Sequence, residues 1–195
     1  MISDISPAEF LKKTILEICP IRSAVLDEFI RLFTVNKIKA GVDLIKEGDD
    51  GSCVWFIVSG LLRSYYISQN GEQHNKHFFV PGTFCAPLTS LVAKQPSPVY
   101  IGSLKETELL SIDYSRLEQL YLKFPELNLL GRKLVEWAWI GKERRETQLI
   151  MLNATDRYKA FQKEFPGLEE QIPQYHIASY LGITPVQLSR IRAKI

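Results

Sequence analysis

The chain has 195 residues, 46% of them hydrophobic, and a formal net charge of +2. That length can bury one good core or two small ones, and the composition is neither membrane-like nor disordered. No apolar run approaches the roughly 20 residues of a spanning helix. Residues 1–10 hold two acids and no base, so a secretory signal is not expected and a cytoplasmic location is. Cys19, Cys53 and Cys85 stand far apart without a CxxC, which suggests neither a disulfide framework nor a compact metal site.

From Pro7 to Phe33 apolar residues recur at helical spacing (Phe10, Ile15, Ile18, then Val25, Leu26, Phe29, Leu32), and Pro20 divides the segment into two short helices. From Asn36 to Ile112 short β-rich runs alternate with turns. Val54–Val58 ends at Ser59-Gly60, Leu61–Ile67 at Asn70-Gly71 and Lys76–Val80 at Pro81-Gly82; Val99–Leu104 and Glu108–Ile112 follow. Such spacing predicts a β-barrel or sandwich. Asp113 can cap a helix running to Phe124. From Pro125 to about Leu152 there is no further proline, which predicts a helix of roughly 40 Å, too long for a small core. Its apolar and small residues Leu127, Leu130, Leu134, Ala138 and Gly141 are the expected contacts with a second copy. A break at 153–156, with Thr155 or Asp156 as cap, opens a helix ended by Pro166-Gly167.

The strongest local signal is QYHIASYLGITPVQLSRIRA, residues 174–193. A helix-turn-helix needs a small residue where its helices cross, supplied by Ala178, and a turn residue tolerant of positive φ, supplied by Gly182. Its apolar contacts fall to Ile177, Leu181, Ile183, Leu188 and Ile191. Thr184 caps the second helix and Pro185 takes its first position. On that helix Leu188, Ile191 and Ile195 form one face; Val186, Gln187, Arg190 and Lys194 form the other, with Ser189 and Arg192 beside them. Residues 153–195 hold six Lys/Arg against four Asp/Glu, while residues 1–152 hold 18 of each; the last 21 residues carry three bases and no acid. A basic terminus on a neutral body suits double-stranded DNA. Candidate DNA contacts are therefore Thr184, Pro185, Val186, Gln187, Ser189, Arg190, Arg192 and Lys194.

With these residues in view the chain resembles the Crp/Fnr family of bacterial transcription regulators. The likeness rests on Gly41 with Glu47-Gly48-Asp49, on residues 56–63 (FIVSGLLR), on Pro81-Gly82-Thr83-Phe84, on Asp156-Arg157-Tyr158 and on residues 177–192. It implies an α+β protein: a cyclic-nucleotide-binding-like antiparallel β-roll or jelly-roll sensor domain with flanking helices (1–124), a long dimerisation helix (125–152) and an all-α helix-turn-helix domain (153–195). It also implies a homodimer on a palindromic operator and RNA polymerase as a further partner. The ligand site departs from nucleotide-binding members. Their Gly-Glu pair is replaced by Ala86-Pro87, and their phosphate-binding Arg-Ser pair falls on Ser97-Pro98, which offers no guanidinium. Their two hydroxyl residues on the long helix become Lys142-Glu143. The effector is therefore not expected to be cAMP. A candidate pocket would use Arg63, Phe84, Cys85, Ala86, Leu88, Ser97 and Val99, for an apolar or aromatic molecule or for no effector at all. Three cysteines are too few for an iron–sulfur sensor, and His74, His77 and Cys85 are not read as haem ligands, so no cofactor is expected. No nucleophile elbow, P-loop, HExxH or GxGxxG occurs, so an enzyme is not expected. The competing reading is an interaction module whose terminal helices dock protein.

Overall fold

The computed structural model describes residues 5–194; Ile195, assigned above to the packing face of the last helix, lies outside them. The chain divides into two compact units. The first comprises residues up to 64 and 78–136, the second residues 65–77 and 137 onward.

The first unit opens with α1 (Pro7–Ile18) and α2 (Ser23–Ile30). Ser6 accepts from the Glu9 amide, and the Glu9 side chain returns to the Ser6 amide. That reciprocal cap, with Pro7 next to it, fixes where α1 begins. Eight strands follow: β1 (Thr34–Ile38), β2 (Asp43–Ile45), β3 (Cys53–Ser59), β4 (Leu62–Ile67), β5 (Gln73–Phe79), β6 (Phe84–Cys85), β7 (Tyr100–Ser103) and β8 (Thr107–Asp113). They form two four-stranded sheets, ordered β1-β8-β3-β6 and β2-β7-β4-β5. In the first sheet β3 and β8 run antiparallel, with Val54 opposite Ile112 and Phe56 opposite Leu110.

Strand alternation divides these side chains between two cores. Phe56, Val58, Leu110 and Ile112 pack with Leu11, Ile15, Leu26 and Phe29 of the helices; Trp55, Ile57 and Leu109 pack with Ile45, Leu62, Cys85, Val99 and Ile101. Between β3 and β4 the chain turns at Gly60, φ +88°, where a Cβ would come within 2.3 Å of the Glu106 carbonyl oxygen. Only glycine fits there.

Four short elements were not legible in the sequence. β1 reaches back to Thr34, and β2 and β6 are two- or three-residue strands in loop-like sequence. α3 (Leu88–Ala93) begins after Pro87. α4 (Tyr114–Lys123) starts where expected, with the Asp113 carboxylate accepting from the Ser115 amide at 2.8 Å. α5 (Pro125–Met151) is the long helix; it belongs to the first unit through Glu136 and to the second from Trp137.

In the second unit, α6 (Ala154–Glu164) is capped by Asn153, not by Thr155 or Asp156 as the sequence suggested. The Asn153 carboxamide accepts from the Asp156 amide at 3.0 Å and donates to the Asp156 carboxylate at 2.7 Å. A 3-10 turn (Leu168–Glu170) leads to α7 (Gln174–Leu181) and α8 (Pro185–Arg192). Tyr158, Phe161, Phe165, Leu168, Ile172, Ile177, Ala178, Tyr180, Leu181 and Leu188 are buried in this unit.

Candidate DNA-binding surface

α7 and α8 meet as the sequence requires. Ala178 is fully buried at the crossing, Gly182 adopts φ +66°, and Ile177, Leu181 and Leu188 are buried beside it. Ile183 and Ile191 are half-buried. Gly182 and Ile183 donate to the carbonyls of Ser179 and Ala178 at 3.2 and 3.0 Å, which ends α7. These backbone bonds and the left-handed glycine set the turn.

All eight candidate contacts on or beside α8 are exposed, Val186 by 60%. The arrangement sorts them. Thr184 Oγ1 accepts from the Gln187 amide at 3.2 Å, and Gln187 Oε1 accepts from the Thr184 amide at 2.9 Å. That capping box already uses one oxygen on each side chain. A two-point contact of Gln187 with adenine needs that oxygen, so the cap would have to open first. Arg192 faces Tyr158 and Glu169, which are themselves hydrogen-bonded to each other. It therefore serves the domain's own packing as well as any DNA phosphate. The Tyr158 hydroxyl is pushed up to about 12, by burial and then by the Glu169 bond. Among the described residues Arg190 carries no such tie: it lines, with Gln187 and Ile191, a cleft of about 490 Å³ whose other wall is Asn153 to Asp156. Val186, Ser189 and Arg190 are thus the side chains most available to base edges. The N-terminus of α6 forms the far wall of this cleft, a neighbour the sequence did not mark; its signal was Asn153 three residues before Asp156.

The chain itself covers part of the line expected to form the dimer contact. Leu127 and Leu130 are buried in the first unit's own core, and Leu134 packs against the same cluster. A second copy cannot use Leu127 and Leu130, which the chain itself has covered. Ala138 and Gly141, on the continuation of that line, are exposed. The large uncovered side chains lie elsewhere on α5: Val135, Trp137, Trp139, Ile140, Leu149, Ile150 and Met151.

The proposed effector pocket is not assembled as expected. Of its apolar members, Cys85 and Val99 belong to the inner core of the β-roll. Phe84, one residue before Cys85, points to the opposite core, 5.1 Å from the Phe56 ring. On β4 Leu62 joins Cys85 and Val99, and its neighbour Arg63 is buried. Ala86 is half-buried, and Leu88 stands exposed on α3. Ser97 is buried with its hydroxyl donating to the Val99 carbonyl at 2.8 Å. Its backbone bonds Gly48 and Asp49, while Ser90 Oγ accepts from the Gly51 amide at 2.8 Å. A Cβ on Gly51 would meet Pro87 at 2.6 Å. The segments that would cradle a nucleotide are hydrogen-bonded and packed against one another.

Residues 35–124 match the cyclic nucleotide-binding domain family. The transcriptional activator protein Anr of Pseudomonas protegens is 25% identical, covering 85% of this chain and 71% of the relative. FixK2 of Bradyrhizobium japonicum shares the fold at a TM-score of 0.73, with 17% identity over 83% of each chain. The c-di-GMP-responsive global regulator CLP of Xanthomonas campestris does so at 0.70, with 16% identity, covering 89% of this chain and 91% of its own. Among the described residues no helix is long and apolar enough to cross a membrane.

Proposed function

We propose that the chain, which belongs to the Crp/Fnr family, binds a palindromic DNA operator as a homodimer and thereby regulates transcription. The observation that carries this reading is α8: a Thr-capped helix, seated through buried Leu188, whose exposed face presents Val186, Ser189 and Arg190 and no acid, with Lys194 exposed in the turn that follows it. A helix of this kind fits the major groove, where an arginine fork can meet guanine O6 and N7 together and a valine can touch a thymine methyl. Thr184, at the helix N-terminus, and Lys194 would contribute phosphate attraction that does not depend on sequence. Location in the cytoplasm and action on RNA polymerase follow from the same reading.

The dimer contact runs along the uncovered side of α5. Val135, Trp139, Lys142, Glu146 and Leu149 succeed one another in steps of four, three, four and three, the spacing of a coiled-coil seam. Trp139 is 65% exposed and Val135 52%. Two-fold symmetry would then set the recognition helices on half-sites about 34–36 Å apart. Cyclic nucleotides are not the effector in the usual binding mode, because the polar groups needed for ribose and phosphate are replaced or turned to internal bonds. The test is selection of bound sequences from a random duplex pool by the intact chain. Emergence of an inverted repeat supports the reading, and recovery of unselected sequence counts against it.

A further inference from the structure

The second unit contains a segment far from it in sequence. Residues 65–77, the outer part of the β4–β5 hairpin, cluster with the helix-turn-helix, although they lie within the stretch that matches the cyclic nucleotide-binding domain. We propose that this hairpin is a working part of the DNA-binding unit, and that Asn75 is the positioning residue that fixes α7 and, through it, the reading helix α8.

Asn75 is 6% exposed and His176, on α7, 4%. The Asn75 backbone amide donates to Ser179 Oγ at 2.9 Å, and Ser179 Oγ donates to the Gln73 carbonyl at 3.0 Å. The Asn75 carboxamide nitrogen donates to the His176 carbonyl at 2.9 Å and lies 3.2 Å from His176 Nδ1. One strand face therefore grips α7 at two successive turns, at residues 176 and 179. Two strand positions on, His77 meets the Phe165 ring edge-on at 5.7 Å. Phe165 in turn packs on Phe161 and Tyr180, and Arg145 of α5 lies over the Tyr180 ring at 4.1 Å.

The chemistry of the joint is specific. A buried carboxamide on a β-strand is costly unless its hydrogen bonds are made, and here they are made to a helix of the DNA-binding motif. Apolar contact alone would let the hairpin slide along α7; hydrogen bonds to a backbone carbonyl and a serine hydroxyl fix one register. The hairpin also leaves the reading face open, since Val186 and Arg190 stay exposed with Asn75 engaged. The contact therefore orders the helix pair for binding and does not mask it.

The proposal rests on the DNA-binding reading, and the test separates the two. Asn75→Ala, Ser179→Ala and the double variant are compared, as intact chains, with Ile101→Val, which trims the β-roll core outside residues 65–77. Affinity for a labelled random-sequence duplex is measured across salt, alongside amide exchange at residues 177–181. A lost buried hydrogen bond should weaken duplex binding by about tenfold, with the salt slope unchanged because no phosphate contact is lost. Exchange at 177–181 should accelerate by a similar factor, and the double variant should lose less than the product of the two single losses. Ile101→Val should change neither readout. If Asn75→Ala matches Ile101→Val in both, the proposal is overturned. If the unsubstituted chain does not bind the duplex at low salt, the DNA-binding reading fails and amide exchange alone decides whether Asn75 orders α7.

Discussion

Trp139→Glu puts a carboxylate into the proposed seam while leaving the chain's own core untouched, because the side chain is 65% exposed. An indole that open has on the order of 150 Å² still to bury, worth about 4 kcal/mol at about 25 cal/mol per Å². If half of it is covered in the dimer, about 2 kcal/mol per protomer is lost, and two-fold symmetry counts it twice. Self-association should weaken by roughly a thousandfold, from micromolar toward millimolar. Sedimentation equilibrium across a micromolar series reads this directly, and circular dichroism confirms that the variant is folded. Leu134→Glu is the contrasting case: Leu134 packs on the interior cluster, so that variant should lose thermal stability. A Trp139→Glu chain that still sediments as a dimer, or an unsubstituted chain that is monomeric at micromolar concentration, would refute the seam.

Gly60→Ala should cost about 3 kcal/mol or more in urea unfolding, because positive φ and a clash with a backbone oxygen combine, whereas Gly71→Ala, with nothing within 4 Å, should cost about 1 kcal/mol. Calorimetry with cAMP or cGMP should give no binding at micromolar ligand; a dissociation constant near 1 μM would contradict the sealed cradle. His77 is held down to about 4, by burial first and then by Lys76 and Arg145. Its folded value lies below its unfolded one, so its contribution is complete above about pH 6.5 and is lost as pH falls toward 4. The loss is about 3 kcal/mol at most, and less for a ring only half-buried, and His77→Gln should flatten that part of a stability–pH curve.

The helix-turn-helix could be read from sequence because its demands are local. A small residue at 178, a left-handed glycine at 182 and a capped proline at 185 are stereochemical needs that few other folds impose together. The strands could be read where apolar runs met glycine turns, as at Val54–Val58 and Gly60. β2 and β6 were not, since two or three residues carry no period. The long helix was located correctly, but Leu127 and Leu130 turned out to be buried in the chain's own core. Leu127, Leu130 and Leu134 fit a seam with a second copy as well as they fit the chain's own core, and only the positions of α1, α2 and α4 decide between them. The Gln187 cap was missed, although Thr184 and Gln187 stand at capping-box spacing. The grip of Asn75 on α7 was invisible, because it joins residues 101 positions apart.

Arg190 is the side chain on which reading of DNA by α8 most directly depends. Affinity of the unsubstituted chain and of Arg190→Ala should be measured at one salt concentration on a duplex selected from a random pool and on a scrambled duplex of equal composition. The account predicts that Arg190→Ala loses about 1–3 kcal/mol, roughly 5- to 150-fold, on the selected duplex and much less on the scrambled one, with preference relaxed at one base pair per half-site. Equal losses on both duplexes would make Arg190 a backbone contact and contradict the assignment of α8 as the reading helix.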